Sequence, residues 1–230
     1  MPNKSAPVKS NFADVDAYEV RIRKFVPGYE MIMDFVLACL PERNEWAIIL
    51  ELACGTGNLS QKVLDRNRLF KLVAIDLVSE MVRKCGDRLH SYKNRIEIFC
   101  ADMVGFRRLN SFDFVLSNLA LHYLETDAEK IAVCQNVYDS LRPGGIFSFS
   151  VMLTSHSPGS RIDIWKLWEN DVLRNGVTHQ ELNDWYDNHH SCDYAVPLDC
   201  WLKWLEEVGF RYCTLAWSET IFGVIWAVKA

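Results

Sequence analysis

The run 50-LELACGTGNLS-60 takes an apolar stretch into two glycines one residue apart. A glycine turn at the end of a buried strand lets the backbone come close to a ligand. The helix that follows aims its free N–H groups and partial positive charge at the same place. Gly55 and Gly57 suit that role, although a lone G-x-G also fits a plain strand-to-helix turn. Asp76, 19 residues beyond Gly57, strengthens the ligand reading. It closes the apolar run 71-KLVAID-76. In a doubly wound sheet the tip of the second strand lies beside the first glycine turn, and a carboxylate there accepts hydrogen bonds from ribose hydroxyls. Asp102 closes 95-RIEIFCAD-102, where it and the following Met103 suit the edge and face of an adenine.

Two nucleoside ligands fit these positions: a dinucleotide or S-adenosylmethionine. The dinucleotide fingerprint requires a third glycine where Ser60 stands. Glu51, inside the same run, would repel a pyrophosphate. It suits a cationic ligand with an amino group and a sulfonium.

Further along, 117-SNLALHYL-124 places His122 four residues past Asn118. His122 is the candidate base for an acceptor that must lose a proton. A hydrogen-bonded wall residue is an equal reading, and Tyr123 reads as packing. The stretch 185-WYDNHHSCDY-194 gathers His189, His190, Cys192 and Asp193. Their spacing matches no zinc pattern, and adjacent histidines rarely converge on one ion, so no metal site is expected. Trp185, Tyr186 and His189 are read instead as part of an acceptor pocket.

These residues need a scaffold. Short Ile-, Val- and Phe-rich runs at 46–53, 71–76, 95–102, 112–118 and 145–151 read as strands. Helical stripes separate them: Ile32, Phe35, Val36, Cys39 and Leu40, then Val78, Met81, Val82 and Cys85. Thr126 and Glu129 form a capping box for a helix whose apolar positions are Ile131, Cys134, Tyr138 and Leu141. Pro143-Gly144-Gly145 stops it. Such alternation implies a parallel sheet with helices on both faces. A helix over 198–210 and two strands near 211–217 and 221–229 follow as a terminal hairpin, so the last strand runs antiparallel. Between strand 145–151 and that helix, 153–196 is polar and aromatic with weak periodicity, and is expected to form a small helical and aromatic lid or acceptor insertion. Trp201 and Trp204 read as core; Trp165, Trp168 and Trp185 fit either core or lid.

The chain of 230 residues carries a net charge of −5, a poor match for a nucleic-acid partner. No apolar run approaches the ~20 residues needed to cross a bilayer. MPNKSAPVKS has no apolar core; residues 1–11 read as a disordered leader and 12–230 as one domain. Eight cysteines without a C-x-x-C pair, most within apolar runs, read as buried thiols in a reducing cytoplasm. The expected protein is a cytoplasmic monomer or homodimer.

The series E-L-A-C-G-T-G, A-I-D, A-D-M, L-S-N-L-A-L-H-Y and L-R-P-G-G resembles the ordered motifs of class I S-adenosylmethionine-dependent methyltransferases over roughly residues 12–152. The resemblance implies a Rossmann-like α/β fold with a seven-stranded, mostly parallel sheet and an antiparallel last strand. It implies S-adenosylmethionine as cofactor, S-adenosylhomocysteine as product and methyl transfer to a small-molecule acceptor. It assigns Glu51, Ala53, Cys54, Gly55, Gly57 and Asn118 to the methionine part, Asp76 to the ribose, and Leu77, Asp102 and Met103 to the adenine. The stretch V-P-G-Y is similar to the branch of carboxy-S-adenosylmethionine synthase, which implies that Tyr29 reaches the cofactor. That synthase holds its added carboxylate with a lid arginine, but residues 175–202 here contain no Lys or Arg. Ordinary methyl transfer is therefore the first reading. The synthase, or a non-catalytic cofactor-binding subunit, is the alternative.

Overall fold

The computed structural model describes residues 15–42, 45–92, 94–154 and 163–230. The leader 1–11 and Arg161 lie outside them. The chain opens on two helices, α1 (Val15–Phe25) and α2 (Tyr29–Leu37). Strands and helices then alternate: β1 (Ala47–Leu52), α3 (Asn58–Arg66), β2 (Phe70–Asp76), α4 (Ser79–Arg88), β3 (Ile96–Cys100), β4 (Phe112–Asn118), α5 (Asp127–Ser140) and β5 (Leu141–Met152). The chain continues through α6 (Ile164–Arg174), α7 (His179–Cys192) and α8 (Leu198–Val208) to the hairpin β6 (Phe210–Glu219) and β7 (Phe222–Lys229).

The seven strands lie in the order β3-β2-β1-β4-β5-β7-β6. Strands β1 to β5 pair in parallel, and β7 pairs antiparallel with both β5 and β6. This is the expected sheet. Its order reverses between β1 and β4, and the crevice at such a switch point is where α/β sheets bind ligands.

Alternation along the strands gives each face its own core. Ile49, Leu72, Ala74 and Leu116 pack with α2, α3 and α6. Leu50, Leu52, Val73 and Ile75 pack with α5 and α8. The predicted stripe of α2 is borne out at Ile32, Val36 and Leu40, all buried. Met81 and Cys85 anchor α4 likewise, and Trp201 and Trp204 are core residues of α8.

Helix α5 opens on the predicted capping box, with Glu129 N–H donating to Thr126 Oγ1 and Thr126 N–H donating to Glu129 Oε2. Its buried face differs from the expected one. Lys130, Val133, Cys134 and Val137 turn inward, while Ile131 is 36% exposed. A buried lysine is tolerated because its Nζ donates to Leu124 O at 2.6 Å. The strand after Pro143-Gly144-Gly145 also begins earlier than expected, at Leu141, with its register shifting against β4 between Phe112 and Phe114.

Two helices, α6 and α7, occupy much of the aperiodic stretch 153–196. They dock on α1. Trp168 is fully buried and donates its Nε1–H to Phe25 O at 2.9 Å. Asn175 Nδ2 donates to Arg23 O and Lys24 O at 2.8 and 2.9 Å. Lys24 pairs with Glu181 at 3.1 Å. No helix among the described residues is long and apolar enough to cross a membrane.

Candidate active site

Where β1 ends, Ala53, Gly55 and Gly57 all have positive φ, at 54°, 55° and 87°. The backbone thereby doubles back before α3 begins at Asn58. Two hydrogen bonds fix the turn: Cys54 N–H to Ile75 O and Gly57 N–H to Cys54 O, both at 2.9 Å. Asp76 fixes it from the neighbouring strand. Its Oδ2 accepts from Gly55 N–H at 2.8 Å and its Oδ1 from Val78 N–H at 2.9 Å. Burial raises the Asp76 carboxyl above its ordinary range, while these backbone donors oppose the shift. Across the crevice, β4 ends on Asn118, and Leu119 follows it. Leu119 also has positive φ, at 52°. Non-glycine residues held in the left-handed region are strained by about 1 kcal/mol or more, and such strain clusters at functional sites. Asn118 Oδ1 accepts from Ser150 Oγ at 2.8 Å, and that hydroxyl accepts from Leu119 N–H at 2.9 Å.

A cavity of about 360 Å³ opens between these strand ends. Ala53, Gly55, Asp76, Leu77, Asp102, Met103 and Asn118 line it, so seven of the sequence-derived cofactor residues meet in one wall. Leu77 is 56% exposed although apolar, which suits a face covered by a flat ligand. Asp102 Oδ1 accepts from Val104 N–H at 2.9 Å, bracing the rim.

Glu51, Cys54, Gly57 and Tyr29 stand outside that wall. Glu51 is buried and accepts from Ser60 Oγ. Burial pushes its carboxyl well above the usual carboxylate range, with Cys85 and Asp76 adding to the effect. Ser60, where a third glycine was missing, is therefore the partner of Glu51. The neighbouring Cys85 thiol raises Cys54, and Cys54 in turn lowers Cys85. Gly57 passes so close to Cys85 that a Cβ there would lie 3.0 Å from Sγ. Tyr29 is buried. Its hydroxyl interacts with the Asn58 side chain, and burial pushes the phenol up to about 12. These four residues shape or back the glycine turn.

A second cavity, of about 430 Å³, lies between α1 and α7. His122, the candidate base, and Trp185, one of the three residues read as an acceptor pocket, line it. His122 is buried. Its Nδ1 faces Met152 N–H at 3.4 Å, and its carbonyl accepts from Tyr194 N–H at 2.7 Å. Trp185 packs on Trp168, with centroids 4.4 Å apart, and stacks with Phe25. Tyr186 is not in the wall: its hydroxyl donates to Glu169 at 2.6 Å and ties α7 to α6. The side chain of His189 lies outside the described residues. The wall also carries Arg21, Lys24, Glu181, Asp184 and Asp193.

The sequence reading missed α1. Tyr18 and Arg21 come from it, and Glu19 accepts from Thr56 Oγ1 at 2.7 Å and pairs with Arg88. The signal was present, because Tyr18, Ile22 and Phe25 fall four and three apart, a helical stripe.

Comparison with known proteins agrees with this geometry. Residues 49–145 match the methyltransferase domain family. Carboxy-S-adenosyl-L-methionine synthase of Pseudoalteromonas atlantica is 26% identical over 217 residues, covering 91% of this chain and 87% of that protein. The same enzyme of Pectobacterium atrosepticum is 24% identical over 251 residues, covering 100% and 98%. Among solved structures, the 1,6-didemethyltoxoflavin-N1-methyltransferase of Burkholderia thailandensis, with its substrate and S-adenosylhomocysteine bound, superposes with a TM-score of 0.66. It is 16% identical, covering 94% of this chain and 83% of that one. Phosphoethanolamine N-methyltransferase 2 of Haemonchus contortus superposes at 0.69 with 13% identity, over 100% of this chain and 61% of that one. The motif order, the sheet order and these likenesses agree: the chain carries a methyltransferase domain over residues 49–145, has the fold of S-adenosylmethionine-dependent methyltransferases, and is similar over most of its length to carboxy-S-adenosyl-L-methionine synthases.

Proposed function

We propose that the protein is an S-adenosylmethionine-dependent methyltransferase acting on a small-molecule acceptor held between α1 and α7. The observation that carries this reading is the pair of adjoining cavities, one built on the strand ends and the other opening beside it. The residues of the first fit the cofactor part by part. The Asp76 carboxylate suits ribose hydroxyls; Leu77 and Met103 suit the adenine faces and Asp102 its edge. The backbone from Ala53 to Gly55, with Asn118, suits the methionine portion. Cys54, Gly57, Glu51 and Tyr29 hold the turn in shape from behind. Bound there, the cofactor supplies an already activated methyl group for in-line displacement, so the protein's main task is alignment.

In the second cavity Trp185 offers an aromatic wall to the acceptor. His122 Nδ1 faces a backbone donor, so the neutral ring carries its proton on Nε2 and acts there as a donor. That favours holding an acceptor atom over removing its proton. A net charge of −5 supports a small-molecule acceptor over nucleic acid. Free cysteines among the described residues fit a cytoplasmic setting.

One observation favours the synthase as a second reading. Although 175–202 has no Lys or Arg, α1 brings Arg21 into the wall of the second cavity. A guanidinium is the natural partner of an added carboxylate. Two measurements separate the readings. Calorimetry with S-adenosylhomocysteine should show binding, and silence at high micromolar ligand would sink both. Mass spectrometry of cofactor released from the purified protein should show S-adenosylmethionine or its thioether product. A cofactor heavier by one carboxyl group would establish the synthase instead.

A further inference from the structure

The two cavities meet along one wall. Tyr18, Leu119 and Tyr123 line both of them. They come from α1, from the turn after β4 and from a short 3-10 turn over Leu121–Tyr123. With a cofactor in one cavity and an acceptor in the other, a transferred methyl faces this wall. The glycine turn, Asp76 and Asp102 meet parts that the methyl donor shares with its demethylated product. The shared wall is placed to sense what differs between them, a methyl group and a unit positive charge.

Two of the three residues in that wall are tyrosines. A tyrosine ring face is electron-rich and attracts cations. Its oxygen also accepts weak contacts from polarised C–H groups. Tyr18 is the one tied, through its chain neighbour, to the glycine turn. Its neighbour Glu19 is bonded to Thr56 of the glycine turn and to Arg88 of α4. Burial of the Tyr18 hydroxyl raises its pKa far beyond the ordinary phenol range, with Tyr29 and Asp76 adding to the effect. It therefore stays a neutral phenol and does not serve as a base at physiological pH.

We infer that Tyr18 is a specificity-determining residue that reads the methyl-bearing sulfonium, favouring the charged methyl donor over the neutral thioether product. The inference rests on the proposed cofactor reading. A bland alternative is that Tyr18 only packs α1 onto the sheet, and that alternative makes a different prediction.

The test is calorimetric titration of the full chain with S-adenosylmethionine and, separately, with S-adenosylhomocysteine. Thermal melts without ligand confirm that each variant folds. Tyr18→Phe keeps the ring and loses the oxygen. It should weaken S-adenosylmethionine about 2- to 5-fold, the worth of one weak C–H···O contact, and leave S-adenosylhomocysteine nearly unchanged. Tyr18→Leu loses the ring as well, and should shift the ratio of the two dissociation constants by roughly tenfold in total. Equal weakening of both ligands would show a packing role and overturn the inference. So would an unchanged ratio in Tyr18→Phe if Tyr18→Leu fails to fold. If the unaltered protein binds neither ligand, the cofactor reading itself fails and takes this one with it.

Discussion

The two cavities are built by different means. The first cavity is made of strand ends: backbone turned by Ala53, Gly55 and Leu119, and a carboxylate that accepts from two backbone N–H groups. The second cavity is made mostly of side chains projecting from α1 and α7, held together by an ion pair, ring stacking and two hydrogen bonds from Asn175. One is tied to a seven-stranded sheet, where a shift at one strand end is resisted by both neighbours. The other depends on how three helices pack. In the proposed reading, binding of a shared cofactor can thus stay fixed while the acceptor wall changes, since function resides in sites carried on a common fold.

This contrast predicts unequal responses to substitution. Gly57→Ala should do most. It forces a side chain into φ 87° with its Cβ 3.0 Å from Cys85 Sγ. A loss of about 1–3 kcal/mol of stability is expected, with at least tenfold weaker S-adenosylhomocysteine binding, read by thermal melting and calorimetry. Asp76→Asn comes next. An amide has one acceptor oxygen where the carboxylate uses two, so one backbone N–H loses its acceptor and the other keeps only a neutral one. Roughly tenfold weaker cofactor binding should follow at little cost in expression.

Glu51→Gln is smaller and carries a sign. The Glu51 carboxyl is raised in the folded protein, so its contribution to stability is fully present below the unfolded carboxylate pKa and is lost as pH rises through the folded value. Glutamine should therefore raise the melting temperature at pH 8 by a few degrees relative to the parent, with the gap closing towards pH 4. An unchanged gap across that range would contradict a buried, raised carboxyl.

Lys24→Met should do least. Lys24 and Glu181 are each about 40% exposed, and exposed pairs contribute under about 1 kcal/mol. Cofactor affinity should stay within about twofold of the parent by calorimetry. If Lys24→Met weakened S-adenosylhomocysteine as much as Asp76→Asn, the two cavities would be coupled and the contrast would fail.

The sheet was readable because burial on both faces leaves near-continuous apolar runs, as in LVAID and FVLSN. Gly55, Asp76, Asp102 and Asn118 were readable because a parallel sheet puts strand ends side by side. Position along the strand alone then predicts that they meet. Other features left weaker traces. Glu51 was assigned to the methionine part through backbone and water, and its carboxylate partner on α3, the Ser60 hydroxyl that donates to it, was not foreseen. The bounds of helices α6 and α7 were not legible within the expected helical insertion because their apolar faces are short and mixed. Trp165, Trp168, Trp185 and Tyr186 pack largely on one another, and such a cluster has no helical period of its own. Ile131 and Lys130 exchanged their expected sides because a free carbonyl at Leu124 could take the ammonium, a partner that no hydropathy pattern contains.

Ala53 and Leu119 adopt left-handed backbone at the ends of two neighbouring strands. Their strain is borne when the chain folds, before any ligand arrives. The crevice is accordingly open in advance, and an incoming nucleoside need not spend binding energy prising it apart. Replacing either residue by glycine would relax the strain and loosen the crevice at once. A gain in thermal stability accompanied by a loss of affinity would be the signature of pre-organisation at this site.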